Sequence, residues 1–331
     1  MNLMPEFRCH RPASLDEAVK LKSGLPSSRF LGGGTDLLVN LRRGLGEPSD
    51  LIDLGGIADY AGIRRVDGAL WIGAGITLAE LARRPEVAAD YPAVATATLA
   101  VAGPTHRASA TLGGNLCQDT RCIFYNQSDW WREGNGFCLK YKGDRCHVVV
   151  KSDRCYATYH GDIAPVLIAL GAEAAILAPA GMRRAAIETL YREDGAQYLT
   201  LAPEEALAAV VLPPPVAGRR VGYEKARVRD AVDFPLAGVA VALRREGDVL
   251  AELRVAITGT NSAPLLLNTA DLIGKPWDEA AATRLDEILR KTANVLRTTV
   301  TGAKYRRRAL HRMTRGLIDR LWNDDGQVEQ G

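Results

Sequence analysis

The sequence predicts an α+β protein with an N-terminal domain over residues 1–215 and a C-terminal domain over residues 216–331. Three observations predict it. Short apolar runs of strand length alternate with helical patterns as far as Leu212. The run Pro213-Pro214-Pro215 then interrupts the chain, and proline extends neither a ladder nor a helix. Beyond it come three strand patterns in succession and then two amphipathic helical patterns, which form a separate α+β unit. A chain of 331 residues holds two or three domains with ample core.

Residues 14–24 read as a helix capped by Ser14, with Glu17 completing a capping box. Arg29-Phe30-Leu31 reads as a short strand that runs into Gly32-Gly33-Gly34-Thr35-Asp36, and Leu37, Leu38 and Leu41 follow at helical spacing. Leu51-Ile52-Asp53-Leu54 is another strand, closed by Gly55-Gly56, and a first subdomain is expected to end near residue 55. The second, about 56–215, opens with the strand Leu70-Trp71-Ile72-Gly73-Ala74-Gly75, a helix from near Thr77 and a buried helix from Pro92 to Ala102. Residues 117–160 show few apolar periodicities of either kind, and a structureless stretch of that length is uncommon unless functional. Metal ligation would supply its order in place of a hydrophobic core. Helical pattern resumes from Ile163 to Leu170; Ala172–Leu177 and Arg183–Ile187 form a hairpin, and Ala206–Leu212 is a strand. The C-terminal unit contains strands Val221–Val228, Leu236–Arg244 and Leu250–Thr258, with helices from Trp277 and from Thr301 to Trp322.

A formal charge of +3 argues against a dedicated nucleic-acid surface and leaves acidic protein partners open. No run approaches the roughly 18 apolar residues of a membrane span. The start, Met-Asn-Leu-Met-Pro-Glu-Phe-Arg, lacks a basic segment followed by an apolar one, so the expected compartment is the cytoplasm, where thiols stay reduced.

Two glycine loops carry binding chemistry. Gly32-Gly33-Gly34-Thr35 follows a strand and precedes a helix, so its backbone N–H groups can converge on an anion without Cβ interference. Thr111-Leu112-Gly113-Gly114-Asn115 offers the same chemistry with hydroxyl and amide donors. Either alone is compatible with a plain tight turn; together they suit a long diphosphate ligand. Neither is GxGxxG, which disfavours a Rossmann nicotinamide site. The polar run Gly103-Pro104-Thr105-His106-Arg107 adds donors, although His106 is equally compatible with a satisfied structural histidine.

Five of the six cysteines follow at Cys117-x4-Cys122-x15-Cys138-x7-Cys146-x8-Cys155. No CxxC pair occurs, and ferredoxin spacing is absent, so spacing alone points to a metal or cluster without choosing between zinc and iron–sulfur. Arg121, Arg145 and Arg154 precede Cys122, Cys146 and Cys155, and Lys140 lies two beyond Cys138. Cations there would offset the charge of a thiolate-bound cluster. Cys117 lacks an adjacent cation and belongs to the glycine loop. Phe124, Tyr125, Trp130, Trp131 and Phe137 would shield a cluster from water. A flavin site with an iron–sulfur centre beside it is the expectation.

These residues carry a resemblance. The two loops and the layout resemble the FAD-binding medium subunits of the molybdenum hydroxylase (xanthine oxidase) family, over essentially the whole chain. That implies a two-subdomain FAD-binding domain of the vanillyl-alcohol-oxidase type, followed by a CO dehydrogenase flavoprotein C-terminal domain. Most members pass almost directly from the second glycine loop to the acidic residue. Here residues 117–160 separate Gly113-Gly114-Asn115-Leu116 from Gly161-Asp162-Ile163-Ala164-Pro165. That insertion resembles the [4Fe–4S]-carrying insertion of 4-hydroxybenzoyl-CoA reductases. It does so in Gln118-Asp119-Thr120-Arg121-Cys122, Tyr125-Asn126-Gln127-Ser128, Cys138-Leu139-Lys140-Tyr141-Lys142-Gly143-Asp144 and the stretch from Lys151 to Asp162.

The resemblance implies cluster ligands Cys122, Cys138, Cys146 and Cys155. It implies FAD contacts from Leu31, Gly32, Gly33, Gly34, Thr35 and Asp36, and from Thr105, His106, Ala110, Thr111, Gly113, Gly114 and Asn115. Asp162 falls near the ribityl or ribose hydroxyls, and Lys225 near the flavin ring, where a solvated strand lysine is the plain alternative. It further implies a large molybdopterin subunit and a small subunit with two [2Fe–2S] clusters, assembled as a dimer of heterotrimers. Ferredoxin is the implied electron donor, and no residue of this chain is catalytic on the substrate.

Overall fold

The computed structural model describes residues 4–230 and 232–324. The outermost residues of the two expected domains, 1–3 and 325–331, lie outside the described residues.

Three sheets organise these residues. The first is parallel, with β1 (Arg8–His10), β2 (Ser28–Leu31) and β3 (Asp50–Asp53) in the order β1-β3-β2. Helix Leu15–Gly24 links β1 to β2. Ser14 Oγ accepts from Glu17 N at 3.1 Å, and the Glu17 carboxylate accepts from Ala13 N at 2.7 Å, one residue before the cap itself. β1 has no strand pattern of its own. Its side chains hold it in place: Arg8 Nε and His10 Nε2 lie 2.8 and 2.7 Å from Oδ1 of the buried Asp50.

The second sheet is antiparallel, with β4 (Ile63–Val66), β5 (Ala69–Gly73), β6 (Glu173–Ala178), β7 (Gly181–Ala186) and β8 (Ala206–Leu212) in the order β4-β5-β8-β6-β7. The third contains β9 (Arg220–Ala226), β10 (Ala237–Glu246), β11 (Val249–Thr258) and the short β12 (Leu265–Leu266), ordered β12-β11-β10-β9. Helix Glu279–Thr292, capped by Asp278, and helix Ala303–Asn323 complete that unit; the latter packs on β9 and β10. The helix expected from Trp277 starts two residues later, because Asp278 stays extended and caps it by accepting from Ala281 N at 2.9 Å.

Helix Ile163–Leu170 buries all its residues, and Gly171, at φ +73°, closes it. A helix apolar all round needs cover on every side. It has β10 and β11 on one side and helix Pro92–Ala100 on another. Tyr223, Ala240 and Ala256 consequently share one apolar cluster with Leu112, Leu167 and Val210, so the core runs continuously across the proline stop.

The insertion gains order from more than its cysteines. Leu45, Tyr125 and Ala157 form a small buried cluster with Cys122, Cys138 and Cys155. The Arg132 side chain, 1% exposed, reaches the carbonyls of Gln127 at 2.5 Å and Arg43 at 2.8 Å and so pins residues 117–160 to the turn after helix Leu37–Arg42.

Candidate functional site

The two glycine loops meet. A Cβ on Gly33 would lie 1.6 Å from the Ser109 carbonyl oxygen, and one on Gly32 would lie 2.9 Å from Thr111 Oγ1. Only glycine permits this approach. Both loops line one cleft through Gly32, Gly33, Gly34, Thr35, Asp36, Thr111, Gly113 and Gly114. Their donors differ. The N–H groups of Leu112, Gly113 and Gly114 are taken by Ile76 O, Ala74 O and Thr111 Oγ1. Those of Gly33, Gly34 and Thr35 make no hydrogen bond among the described residues. The first loop therefore presents the free donors, and the second shapes the wall. Leu31, Ala110 and Asn115 stand beside the lining residues, and the Asn115 side-chain oxygen is buried without a partner. Thr105 and His106 are exposed on the short helix Pro104–Ser109 and line none of this cleft.

Asp162 and Lys225 meet at the junction of the buried helix and β9. Lys225 Nζ lies 3.0 Å from Asp162 Oδ1 and donates to Ala100 O at 2.8 Å, while Tyr223 OH donates to Asp162 Oδ1 at 2.7 Å. Both charged side chains are only 4% exposed, so Lys225 is not a solvated strand lysine. Burial pushes the Asp162 carboxyl up, and Lys225 and Tyr223 pull it back toward ionisation. Lys225 lines a second depression with Arg107, Ala102 and Arg227. Ala102 holds φ +43°, a left-handed conformation costly for a residue with a Cβ, and Arg107 fixes it by donating to the Val101 and Ala102 carbonyls. Beside them, burial and the neighbouring Arg306 push His160 down to about 3. The imidazole is neutral, and its Nδ1–H donates to Pro235 O at 2.8 Å.

Cys122, Cys138, Cys146 and Cys155 are buried free thiols outside any helix or named strand, and all four line one small cavity. Ala157 N–H donates to Cys155 Sγ at 3.3 Å, and the Phe124 and Tyr125 N–H groups serve Cys122. Burial pushes Cys122 up to about 11 and Cys155 up to about 12. Cys117 lines the glycine-loop cleft instead, and Cys9 is exposed on β1. The aromatic shield is partial. Phe124 and Tyr125 line the cavity and Trp131 packs on Phe124, but Trp130 is 80% exposed and shields nothing. The adjacent cations also divide. Arg121 turns away to pair with Asp36, Arg154 faces Glu193, Arg145 is exposed, and Lys140 alone of the four lines the cavity.

From Ala157 to Asp162 every residue is buried, and the segment is tied along its length. Thr158 pairs with Arg121, Tyr159 N–H donates to Asn261 O at 2.9 Å, and the Tyr159 hydroxyl reaches the Asn115 and Leu116 carbonyls.

Residues 5–215 match the family of the FAD binding domain in molybdopterin dehydrogenase, and residues 222–321 match the CO dehydrogenase flavoprotein C-terminal domain. The chain belongs to the FAD-binding subunits of the molybdenum hydroxylase family. Among its relatives is the aldehyde oxidoreductase FAD-binding subunit PaoB of Escherichia coli, 32% identical over 81% of this chain and 86% of that one. The carbon monoxide dehydrogenase medium chain of Afipia carboxidovorans is 28% identical over 95% and 96%. In fold, the chain resembles the carbon monoxide dehydrogenase from Hydrogenophaga pseudoflava, with a TM-score of 0.79 and 23% identity over 97% of this chain and 98% of that one.

The cleft of this FAD-binding subunit fits FAD on its own features. Free N–H groups on a glycine loop suit a pyrophosphate, and Tyr60, Tyr198 and Leu207 give an apolar wall for a ring. The cysteine cavity fits a cluster by donor chemistry: four buried sulfurs, N–H groups aimed at two of them, and a cation alongside. Sequence reasoning missed Tyr198, Asp119 and Ala102. Nothing in the sequence marks a left-handed alanine, whereas Asp119 stands inside a stretch already singled out.

Among the described residues no helix is long and apolar enough to cross a membrane.

Proposed function

We propose that this chain is the electron-relay subunit of a molybdenum-dependent 4-hydroxybenzoyl-CoA reductase. Two electrons and two protons convert 4-hydroxybenzoyl-CoA to benzoyl-CoA and water at a molybdopterin centre on a large partner subunit. A small partner subunit carries two [2Fe–2S] clusters. Electrons enter from reduced ferredoxin. When bound, the [4Fe–4S] centre supplies one-electron transfer, and FAD joins one-electron carriers to a two-electron reduction.

In this reading Cys122, Cys138, Cys146 and Cys155 hold the cluster. Gly33, Gly34 and Thr35 receive the FAD pyrophosphate; Asp162 and Lys225, which line none of the glycine-loop cleft, form a buried ion pair at its inner side and act on the flavin only through that packing. The observation that carries the reading is the meeting of four buried cysteines in one cavity beside the glycine-loop cleft. Metal analysis of the complex purified anaerobically with its partners tests this. About four irons per copy of this chain beyond the [2Fe–2S] pair support the relay, and zinc in their place overturns it.

Lys142 and Arg145 are exposed next to the cysteine cavity and suit an acidic ferredoxin. Replacing both with Ala is expected to slow reduction by ferredoxin about tenfold, in the range of rim-charge effects on association, and to leave reduction by a small neutral dye unchanged. Equal loss with both donors rules the docking out. The likeness to PaoB favours a second reading, an aldehyde or purine hydroxylase subunit with electrons running outward from molybdenum. Turnover of an aldehyde with electrons leaving through this chain, and none of 4-hydroxybenzoyl-CoA with reduced ferredoxin, selects that reading.

A further inference from the structure

Lys140 stands in the wall between the two cavities. Its side chain is 5% exposed and lines the cysteine cavity. Its ammonium lies 2.6 Å from Asp119 Oδ1 and 3.0 Å from the carbonyl oxygens of Thr120 and Gly195, and it also donates to the Thr120 hydroxyl. The Tyr125 and Tyr198 rings lie 4.5 and 5.6 Å away. Tyr125 faces the cysteines; Asp119 and Tyr198 face the glycine-loop cleft. Gly195 returns to the cluster side, since its N–H donates to Cys155 O at 2.8 Å. Asp119 is shared as well: its other oxygen accepts from Tyr125 OH at 2.9 Å, and its backbone N–H donates to Asp36 Oδ2 at 2.9 Å.

A well-packed apolar side chain would fill this wall without the desolvation cost of a buried ion. The cation sits instead where little water screens its field on the four cysteines. A thiolate-bound cluster becomes more negative on accepting an electron, and a fixed cation beside it favours the reduced form. We propose that Lys140 is a positioning residue that sets the reduction potential of the [4Fe–4S] centre, and that the Asp119 carboxylate attenuates its field. The step is a one-electron transfer: the external donor would lose one electron and the bound cluster would gain it. The inference rests on the cluster reading given above.

The test is a redox titration of the anaerobically purified complex, following the cluster by EPR, with Lys140→Met and Asp119→Asn. Lys140→Met is expected to disfavour the reduced cluster at least tenfold, about 59 mV for a one-electron couple. Asp119→Asn is expected to move the midpoint in the opposite direction, which a purely structural role would not produce. Unmoved midpoints, or shifts of the same sign, overturn the proposal. Where Lys140→Met fails to retain the cluster, Asp119→Asn decides alone: a raised midpoint supports the proposal, and an unchanged or lowered one overturns it. Wild-type complex with no four-iron centre overturns the cluster reading, and this inference with it. A cluster-bearing wild type with unmoved variants overturns this inference only.

Discussion

Replacing Cys138 and Cys146 with serine is expected to remove about four irons from each copy of the chain while FAD stays bound. Both thiols are buried in the cysteine cavity, and neither lines the glycine-loop cleft. Serine is a harder and poorer ligand for iron–sulfur centres than thiolate, so losing two of four sulfurs leaves no stable site. Apolar contacts of Leu45, Tyr125 and Ala157 and the Arg132 hydrogen bonds remain, so residues 117–160 keep their attachment to the Arg43–Leu45 turn. Iron, sulfide and flavin contents of the purified complex check this together. Unchanged iron would mean that these cysteines hold no cluster, and joint loss of iron and flavin would mean that the two sites do not stand independently.

Gly33→Ala is expected to abolish flavin retention. The added Cβ would lie 1.6 Å from Ser109 O and 2.4 Å from its carbonyl carbon, both backbone atoms that no rotamer change can move. One loop must shift, and with it the N–H groups of Gly33, Gly34 and Thr35 that suit a pyrophosphate. Misplacement of positioning groups by about 1 Å costs on the order of 100-fold in function. Gly56→Ala is the control, since its Cβ would meet nothing within 4 Å. Flavin per chain after gel filtration, read by absorbance, separates them. Full flavin in Gly33→Ala would remove the first loop from the FAD site.

Much of the fold was legible because local pattern and tertiary role agree. Ile163–Leu170, Ala206–Leu212 and the Ser14 cap were readable since their apolar runs and capping residues serve the packing they enter. Arg8–His10 was not, because its strand is imposed by Asp50, forty-two positions away. The FAD-binding family was legible through its glycine loops. Which loop keeps its donors free was not: the answer depends on Ala74 and Ile76, in another strand-and-turn unit. The cysteines were legible as soft ligands, but only the fold brings Cys122, Cys138, Cys146 and Cys155 to one cavity and turns Cys117 toward the cleft. Sequence adjacency misled for the cations. Arg121 adjoins Cys122, yet its guanidinium serves Asp36 and Asn40, because neighbouring residues on an extended segment point to opposite sides.

The buried segment that joins Cys155 to Asp162 acts as a strut of fixed length. Six residues lie between the two positions, so their Cα atoms, seven steps apart, stand no more than about 25 Å from each other even if fully extended. Ties to Arg121, Asn261, Asn115 and Pro235 remove the slack that would let this gap breathe. Electron hopping is acutely sensitive to distance. If the proposed cluster and FAD occupy these two ends, a gap held by covalent chain and packed core would leave driving force as the quantity that varies.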